Sequence, residues 1–208
     1  GDPVGTGLAE SLARPGRNIT GVSIQTVEEI PGKWLQLIRE VLPKASVVAI
    51  VVNPDNAISR RTVDRIAGAE AAMGLKHIVL NVRRAEDYAA ALQEAGRRAQ
   101  AAILVPDALS SANREQIAVL AQKYRVPTLG WTDDFVVAGA LMAYGPDEKA
   151  IWQRVAEYAD KILRGAYPAD LPIQQPTEFH LSFNLRTARA LRIEISGPLL
   201  LRADKVIR

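Results

Sequence analysis

The hydrophobic positions of this chain change period several times, and each change marks out an element. Val47, Val48, Ala49, Ile50, Val51 and Val52 form an uninterrupted apolar run. A strand with one wet face would alternate, so the run predicts a strand buried on both faces, as in a parallel sheet covered by helices. Further strands are expected at 76–82, 101–106, 127–130 and 140–144, five in all. Between them Ile58, Thr62, Ile66, Ala69 and Met73 recur at helical spacing, and so do Ile117, Leu120, Ala121 and Tyr124. Short connections between parallel strands and helices force right-handed crossovers. The expected fold class is therefore α/β, a doubly wound parallel sheet of flavodoxin-like order 2-1-3-4-5 with the Val47 strand central.

The flanks follow other patterns. Trp34, Leu35, Ile38, Val41 and Leu42 lie on one helical stripe that starts near Pro31, a residue tolerated in a first turn. Thr26 and Glu29 offer a competing capping-box start. Further upstream, Arg14-Pro15-Gly16-Arg17 reads as a turn before a short strand Asn18-Ile19-Thr20-Gly21-Val22. Downstream, Ile151, Val155, Tyr158 and Ile162 predict a long amphipathic helix ending at Gly165. Trp34 and Trp152 fall on helical stripes and are assigned to the core. Pro168, Pro172 and Pro176 then punctuate an extended connector that leads into a strand at about 178–184. The opening Gly1-Asp2-Pro3-Val4-Gly5 is loop-like with no strand before it, and reads as the later part of a longer chain.

Composition narrows the classes. The 208 residues are 48% hydrophobic, enough for a sizeable core. Lys and Arg number 26 against 23 Asp and Glu, a net charge of +3. The arginines do not gather on one face among stacking aromatics: Arg60, Arg61 and Arg65 sit beside Asp64, and Arg97 and Arg98 on another helix. These are solvated helix faces, and no nucleic-acid partner is expected. There is no cysteine, which excludes disulfides, thiolate metal sites and a cysteine nucleophile. No apolar run reaches the roughly 18–20 residues needed to span a bilayer.

Catalytic signals are missing too. His77 and His180 are the only histidines, and neither has metal-ligand spacing around it. No G-x-S-x-G, H-E-x-x-H, P-loop or strand-linked G-x-G-x-x-G occurs, although sequence order leaves a Ser/His/Asp set open because such partners meet in space. No catalytic residue, metal or cofactor is assigned.

In an open α/β sheet ligands sit at the carboxyl ends of the strands. That rule selects Asn53-Pro54-Asp55-Asn56 after the first strand, Pro106-Asp107-Ala108-Leu109-Ser110-Ser111 after the third, Gly130-Trp131-Thr132-Asp133-Asp134 after the fourth and Tyr144-Gly145-Pro146-Asp147 after the fifth. Asn, Asp and Ser also serve as turn and N-cap residues whatever the function. Trp131 caps nothing, so a stacking platform for a flat ligand competes with plain packing.

These pieces, in order, resemble a known family. Gly1-Asp2-Pro3-Val4-Gly5-Thr6-Gly7-Leu8, Ser11-Leu12-Ala13-Arg14-Pro15-Gly16 and Asn18-Ile19-Thr20-Gly21 are similar to a stretch of the ABC-transporter substrate-binding proteins, the family that includes tryptophan-binding lipoproteins. Asn53-Pro54, Tyr144-Gly145-Pro146-Asp147, Leu171-Pro172-Ile173-Gln174-Gln175-Pro176-Thr177, Asn184-Leu185-Arg186-Thr187-Ala188 and Leu199-Leu200-Leu201-Arg202-Ala203-Asp204 continue the likeness over essentially the whole chain. The resemblance implies the type I periplasmic-binding fold, two doubly wound lobes closing on a ligand. It implies residues 1–23 as the end of an amino lobe whose earlier strands are absent. Residues 24–145 would form the carboxy lobe, 146–168 a helix returned to the amino lobe, and 169–208 a last crossover with a carboxy-lobe extension.

Capture without chemistry is the implied activity. The ligand would be an amino acid or aromatic compound, the partner an ABC permease, and the place periplasmic or otherwise extracytoplasmic, from a precursor with a signal peptide and in some members a lipid anchor. A plain amino acid would want an acidic partner for its ammonium, which Asp107, Asp133 or Asp134 could supply. Its carboxylate would want donors such as Ser110, Ser111, Thr132 or the backbone near Asp2. The expected ligand-binding set is Asp2, Asn53, Asp55, Asp107, Ser110, Trp131, Thr132, Asp133 and Tyr144. A ligand-sensing domain of a transcription regulator or signalling receptor shares the fold and is the first alternative; an α/β hydrolase or transferase is the second, and would need a nucleophile or cofactor loop that the sequence does not offer.

Overall fold

The structure, a computed structural model, describes residues 2–24 and 30–208. It divides into a larger unit, Glu29–Gly145 with His180–Arg208, and a smaller one, Gly1–Glu28 with Pro146–Phe179. The expected capping residues Thr26 and Glu29 lie outside the described residues.

The larger unit alternates helices and strands. In chain order it has α1 (Ile30–Val41), β1 (Val47–Val52), α2 (Ala57–Glu70), β2 (Lys76–Asn81), α3 (Asp87–Arg98), β3 (Ala101–Leu104), α4 (Ala108–Ala112), α5 (Arg114–Lys123), β4 (Thr128–Gly130), α6 (Asp133–Ala138) and β5 (Met142–Pro146). After α7 (Glu148–Leu163) of the smaller unit come β6 (Phe179–Asn184), α8 (Leu185–Leu191), α9 (Gly197–Leu201) and β7 (Lys205–Ile207). The sheet order is β2-β1-β3-β4-β5-β6-β7. β1 to β5 are parallel and follow the expected 2-1-3-4-5 order. β1 is interior but stands one place from the edge, with only β2 outside it, and the sheet continues past β5 with two strands beyond the expected five. β6 runs against β5: Asn184 N donates to Leu141 O (2.9 Å) and Asp147 N to Glu178 O (3.0 Å), so one strand's numbers rise as the other's fall. β7 is parallel to β6.

The unbroken apolar run of β1 is buried for a geometric reason. Successive side chains alternate faces: Val48, Ile50 and Val52 pack with Leu35 and Ile38 of α1, Ile66 of α2, Phe183 of β6 and Leu199 of α9. Ala49 and Val51 pack on the other face with Leu92 of α3, Ile117 of α5 and Phe135 of α6. Each fully buried Leu, Ile or Phe contributes about 1.5–3 kcal/mol over its exposed state, so both layers of helices are needed to hold the sheet.

The smaller unit is built around α7, whose N-cap Asp147 accepts from Lys149 N (2.9 Å). Ile151 and Tyr158, seven residues apart and so on one stripe, are buried, and the Tyr158 hydroxyl donates to Pro172 O (2.6 Å). Trp152 is not the core residue its helical position suggested. It stands 68% exposed, because one residue along a helix is about 100° around it, off the covered stripe. The expected strand over 18–22 also fails to form. Only Val22 bridges, in parallel, to Gln174. Gly21 takes φ +137°, outside the extended region, so the ladder cannot propagate past it.

Candidate functional site

The carboxyl ends of β1, β3, β4 and β5 place four polar loops at one end of the larger unit's sheet. The first and second of these loops are joined by side chains. Asp107 follows β3 and is the N-cap of α4, its Oδ1 accepting from Leu109 N (2.9 Å). Asn56 follows β1 and caps α2, its Oδ1 accepting from Ile58 N (3.0 Å) while its Nδ2 donates to Asp107 Oδ2 (2.8 Å). Asn53 Nδ2 lies 3.4 and 3.5 Å from the two Asp107 oxygens, and its own Oδ1 accepts from Asp55 N (3.0 Å). Every partner of the half-buried Asp107 carboxylate is thus a neutral N–H, and among the described residues no cation pairs with it. The other acidic candidates differ. Asp55 faces Arg83 Nε at 3.4 Å in the open, and Asp133 faces Lys205 Nζ at 3.5 Å.

Beneath the second loop, Ser110 is 4% exposed and donates to Asp107 O (3.0 Å). Its hydroxyl is spent on the turn and is not presented to solvent. Tyr88 of α3 is buried next to it. Burial pushes that phenol up to about 12, a hydrogen bond with Ser110 opposing the rise and the Asp107 charge adding to it. Asp87, at the start of α3, is held below the ordinary carboxylate range by the backbone N–H groups of Arg83 (2.9 Å) and Arg84 (3.0 Å).

The third loop is packed as much as presented. Trp131 is half-buried, its ring 4.3 Å from that of Phe135 and tilted by 49°, and it touches the cores on both faces of the sheet. Packing accounts for much of its surface. Its backbone fixes the next strand: a Cβ on Gly145 would sit 1.9 Å from Trp131 O, so only glycine fits there. Tyr144, half-buried in β5, accepts from the Trp34 indole N–H through its backbone oxygen (2.8 Å). Thr132 is the N-cap residue of α6 without making a side-chain cap bond.

Asp2 belongs to the smaller unit, where its Oδ1 accepts from Gly5 N (2.9 Å) and its backbone oxygen from the Thr6 hydroxyl (2.7 Å). His77 is apart from this end, its Nδ1 2.6 Å from Glu70 Oε2 near the start of β2, whereas His180, near the start of antiparallel β6, lies beside the carboxyl end of β5. Among the described residues no group of His, Asp and Glu is arranged to hold a metal ion, and no helix is long and apolar enough to cross a membrane.

Sequence reasoning put Asn53 and Asp107 in the ligand-binding set but left out Asn56 of the same selected loop, the residue whose amide reaches Asp107 at 2.8 Å. The signal was there, since Asn56 precedes a helical period directly, but only the structure brings its second arm to the β3 loop.

The model of the family of ABC transporter substrate binding proteins matches residues 1–207. The chain belongs to that family. A tyrosine-binding protein of Clostridioides difficile (strain R20291) is 23% identical over 193 residues, which is 93% of this chain and 55% of that protein. A solved conserved domain protein from Vibrio cholerae is 27% identical with a TM-score of 0.89, covering 99% of this chain and 68% of that one. A Streptococcus pneumonia ABC domain solved in complex with L-Trp also reaches a TM-score of 0.89 at 22% identity, over 99% of this chain and 69% of that one. This last likeness is one of fold. The chain spans about half the length of the tyrosine-binding relative.

Proposed function

We propose that this family member is the solute-capturing component of an ABC importer, working outside the cytoplasm, and that its ligand is an aromatic amino acid held at the carboxyl end of the larger unit's sheet. The observation that carries this reading is the Asp107 carboxylate: half-buried, oriented by Asn53 and Asn56, and faced only by neutral donors. Such a group is an acceptor waiting for a cation, and a ligand ammonium fits it. The relative named for tyrosine and the neighbour solved with L-Trp support an aromatic amino acid as the class.

In this reading Asp107 accepts from the ammonium, the Thr132 hydroxyl donates to the ligand carboxylate, and the open part of the Trp131 indole, with Tyr144, lies along the flat side chain. Asp55 and Asp133, neutralised by Arg83 and Lys205, shape the rim. Ser110 acts from below through the Asp107 turn. Capture needs no bond making or breaking: a second lobe closes over such a mouth, and a membrane permease receives the closed form.

The test is a thermal-shift and calorimetric screen with each amino acid. Ligand at a hundredfold excess over Kd adds about 2.7 kcal/mol to the folded state, which for a chain of this size raises Tm by about 5–10 °C. Tyrosine, tryptophan or phenylalanine is expected to give that rise, and Asp107→Asn to remove most of it. No shift with any of them overturns the reading.

A further inference from the structure

We propose that Asn56 is a positioning residue that sets both the direction and the charge of the Asp107 carboxylate, making the site selective for a ligand that carries one ammonium group. This rests on the reading of Asp107 as the ammonium acceptor.

The amide of Asn56 has two jobs of opposite polarity. Its oxygen accepts from Ile58 N (3.0 Å) and its NH2 donates to Asp107 Oδ2 (2.8 Å). Only one orientation of the amide meets both demands, because the helix end offers a donor and the carboxylate offers an acceptor. The cap therefore locks the donor, and the donor holds the carboxylate. Asp107 is restrained on its other oxygen by Leu109 N (2.9 Å). With Leu109 N on Oδ1, Asn56 Nδ2 on Oδ2 and the longer Asn53 Nδ2 contacts of 3.4 and 3.5 Å to the two oxygens, the carboxylate cannot swing. The site then presents a single negative charge, since Asn56 adds a dipole and no charge.

Other titratable or charged neighbours are few. Tyr88 of α3 is protonated up to about 12. Asp55 and Arg83 form an exposed pair at 3.4 Å.

Two substitutions separate the jobs, because serine and aspartate are both good N-caps and retain α2. Asn56→Ser removes the donor. Affinity for L-tryptophan or L-tyrosine is expected to fall about two- to tenfold, the worth of one net hydrogen bond, while indolepropionate, the acid without the amino group, binds as before. Asn56→Asp replaces the donor with a second carboxylate beside Asp107. Two carboxylates so close share a proton as pH rises toward neutral, and an ammonium prefers the doubly ionised pair. Binding to this variant is expected to release a proton and to tighten as pH rises between about 6 and 8, a dependence the parent protein, which lacks the second carboxylate, is expected not to show.

Calorimetry in buffers of different ionisation enthalpy reads that proton. A carboxyl-carbon NMR titration of ligand-free Asn56→Asp reads the same coupling as two separated steps. If the parent protein binds its amino acid but Asn56→Ser is unchanged and Asn56→Asp titrates as independent groups, the proposal falls and the ligand reading stands. If the parent binds no aromatic amino acid while ligand-free Asn56→Asp shows coupled steps, the ligand reading falls and Asn56's control of Asp107 stands.

Discussion

Helices α1 and α7 are both amphipathic and both carry a tryptophan near the start, yet one is buried and the other is not. Twelve-residue α1 buries Pro31, Trp34, Leu35, Leu37, Ile38 and Val41. Sixteen-residue α7 buries Ile151 and Tyr158. The same contrast holds between the units: of the thirteen large hydrophobics exposed among the described residues, nine are in the smaller unit, which is under a third of the chain. Amphipathic spacing says that a face would gain from burial. It does not say how much surface lies opposite. In the larger unit a sheet with helices on both faces supplies that surface, and in the smaller unit the turns around Pro172 and Gln174 cover only a narrow stripe.

The contrast can be broken most forcefully at its strongest point. Phe183 of β6 is fully buried in the core beside α1, and Phe183→Ala is expected to cost about 3–5 kcal/mol. A loss under about 1 kcal/mol in urea unfolding would mean that the larger unit is not the tightly packed body described.

Trp131 tests the border between packing and presentation. Because its ring rests on Phe135 at 4.3 Å, Trp131→Ala is expected to lower stability by about 2–3 kcal/mol, somewhat less than a full core loss, and to weaken aromatic ligands as well. Unchanged unfolding with weakened binding would make it purely a ligand platform.

Tyr88 gives the larger unit a signature in alkali. Its phenol is pushed up to about 12 by burial, from an ordinary value of 10.0. A raised folded value means the stabilisation is complete below pH 10 and is lost as pH climbs towards 12. The loss is about 2 kcal/mol in order of magnitude. Tyr88→Phe, which cannot ionise, is expected to flatten that part of the stability profile; an unchanged profile would show that another group governs it.

Smaller effects refine the picture. The Ser182 hydroxyl in β6 is buried without a hydrogen-bond partner among the described residues, so Ser182→Ala is expected to be neutral or to stabilise by about 1 kcal/mol. A clear loss in calorimetric Tm would reveal a partner for it. At the far end, Trp152→Ala in the smaller unit is expected to change stability by less than about 0.5 kcal/mol, because Trp152 is 68% exposed. A loss approaching that of Phe183→Ala would erase the contrast between the units.

The order of the first five strands was legible because a continuously apolar strand has one favourable environment, between two layers, and short crossovers have one hand. β7 was not, being three residues, Lys-Val-Ile, with no periodic run to reveal it. The family motifs were legible for a similar reason, and several act on the fold. Gly145 lets β5 pass Trp131, and Asn184 caps α8 through Arg186 N (2.9 Å) and Thr187 N (3.1 Å) while its amide donates to Val136 O (2.9 Å). Asp204 accepts from Leu181 N (2.8 Å).

From sequence alone came the strand ends that carry polar loops, because periodicity fixes where strands stop and chirality fixes which side their connections take. Which carboxylate stands without a cation was decided only in three dimensions. Asp55, Asp107 and Asp133 are alike as letters, and what separates them is Arg83, Asn56 and Lys205, each brought from a different part of the chain. Electrostatics falls off over a few ångströms in space and takes no account of distance along the backbone, so that distinction belonged to the tertiary structure.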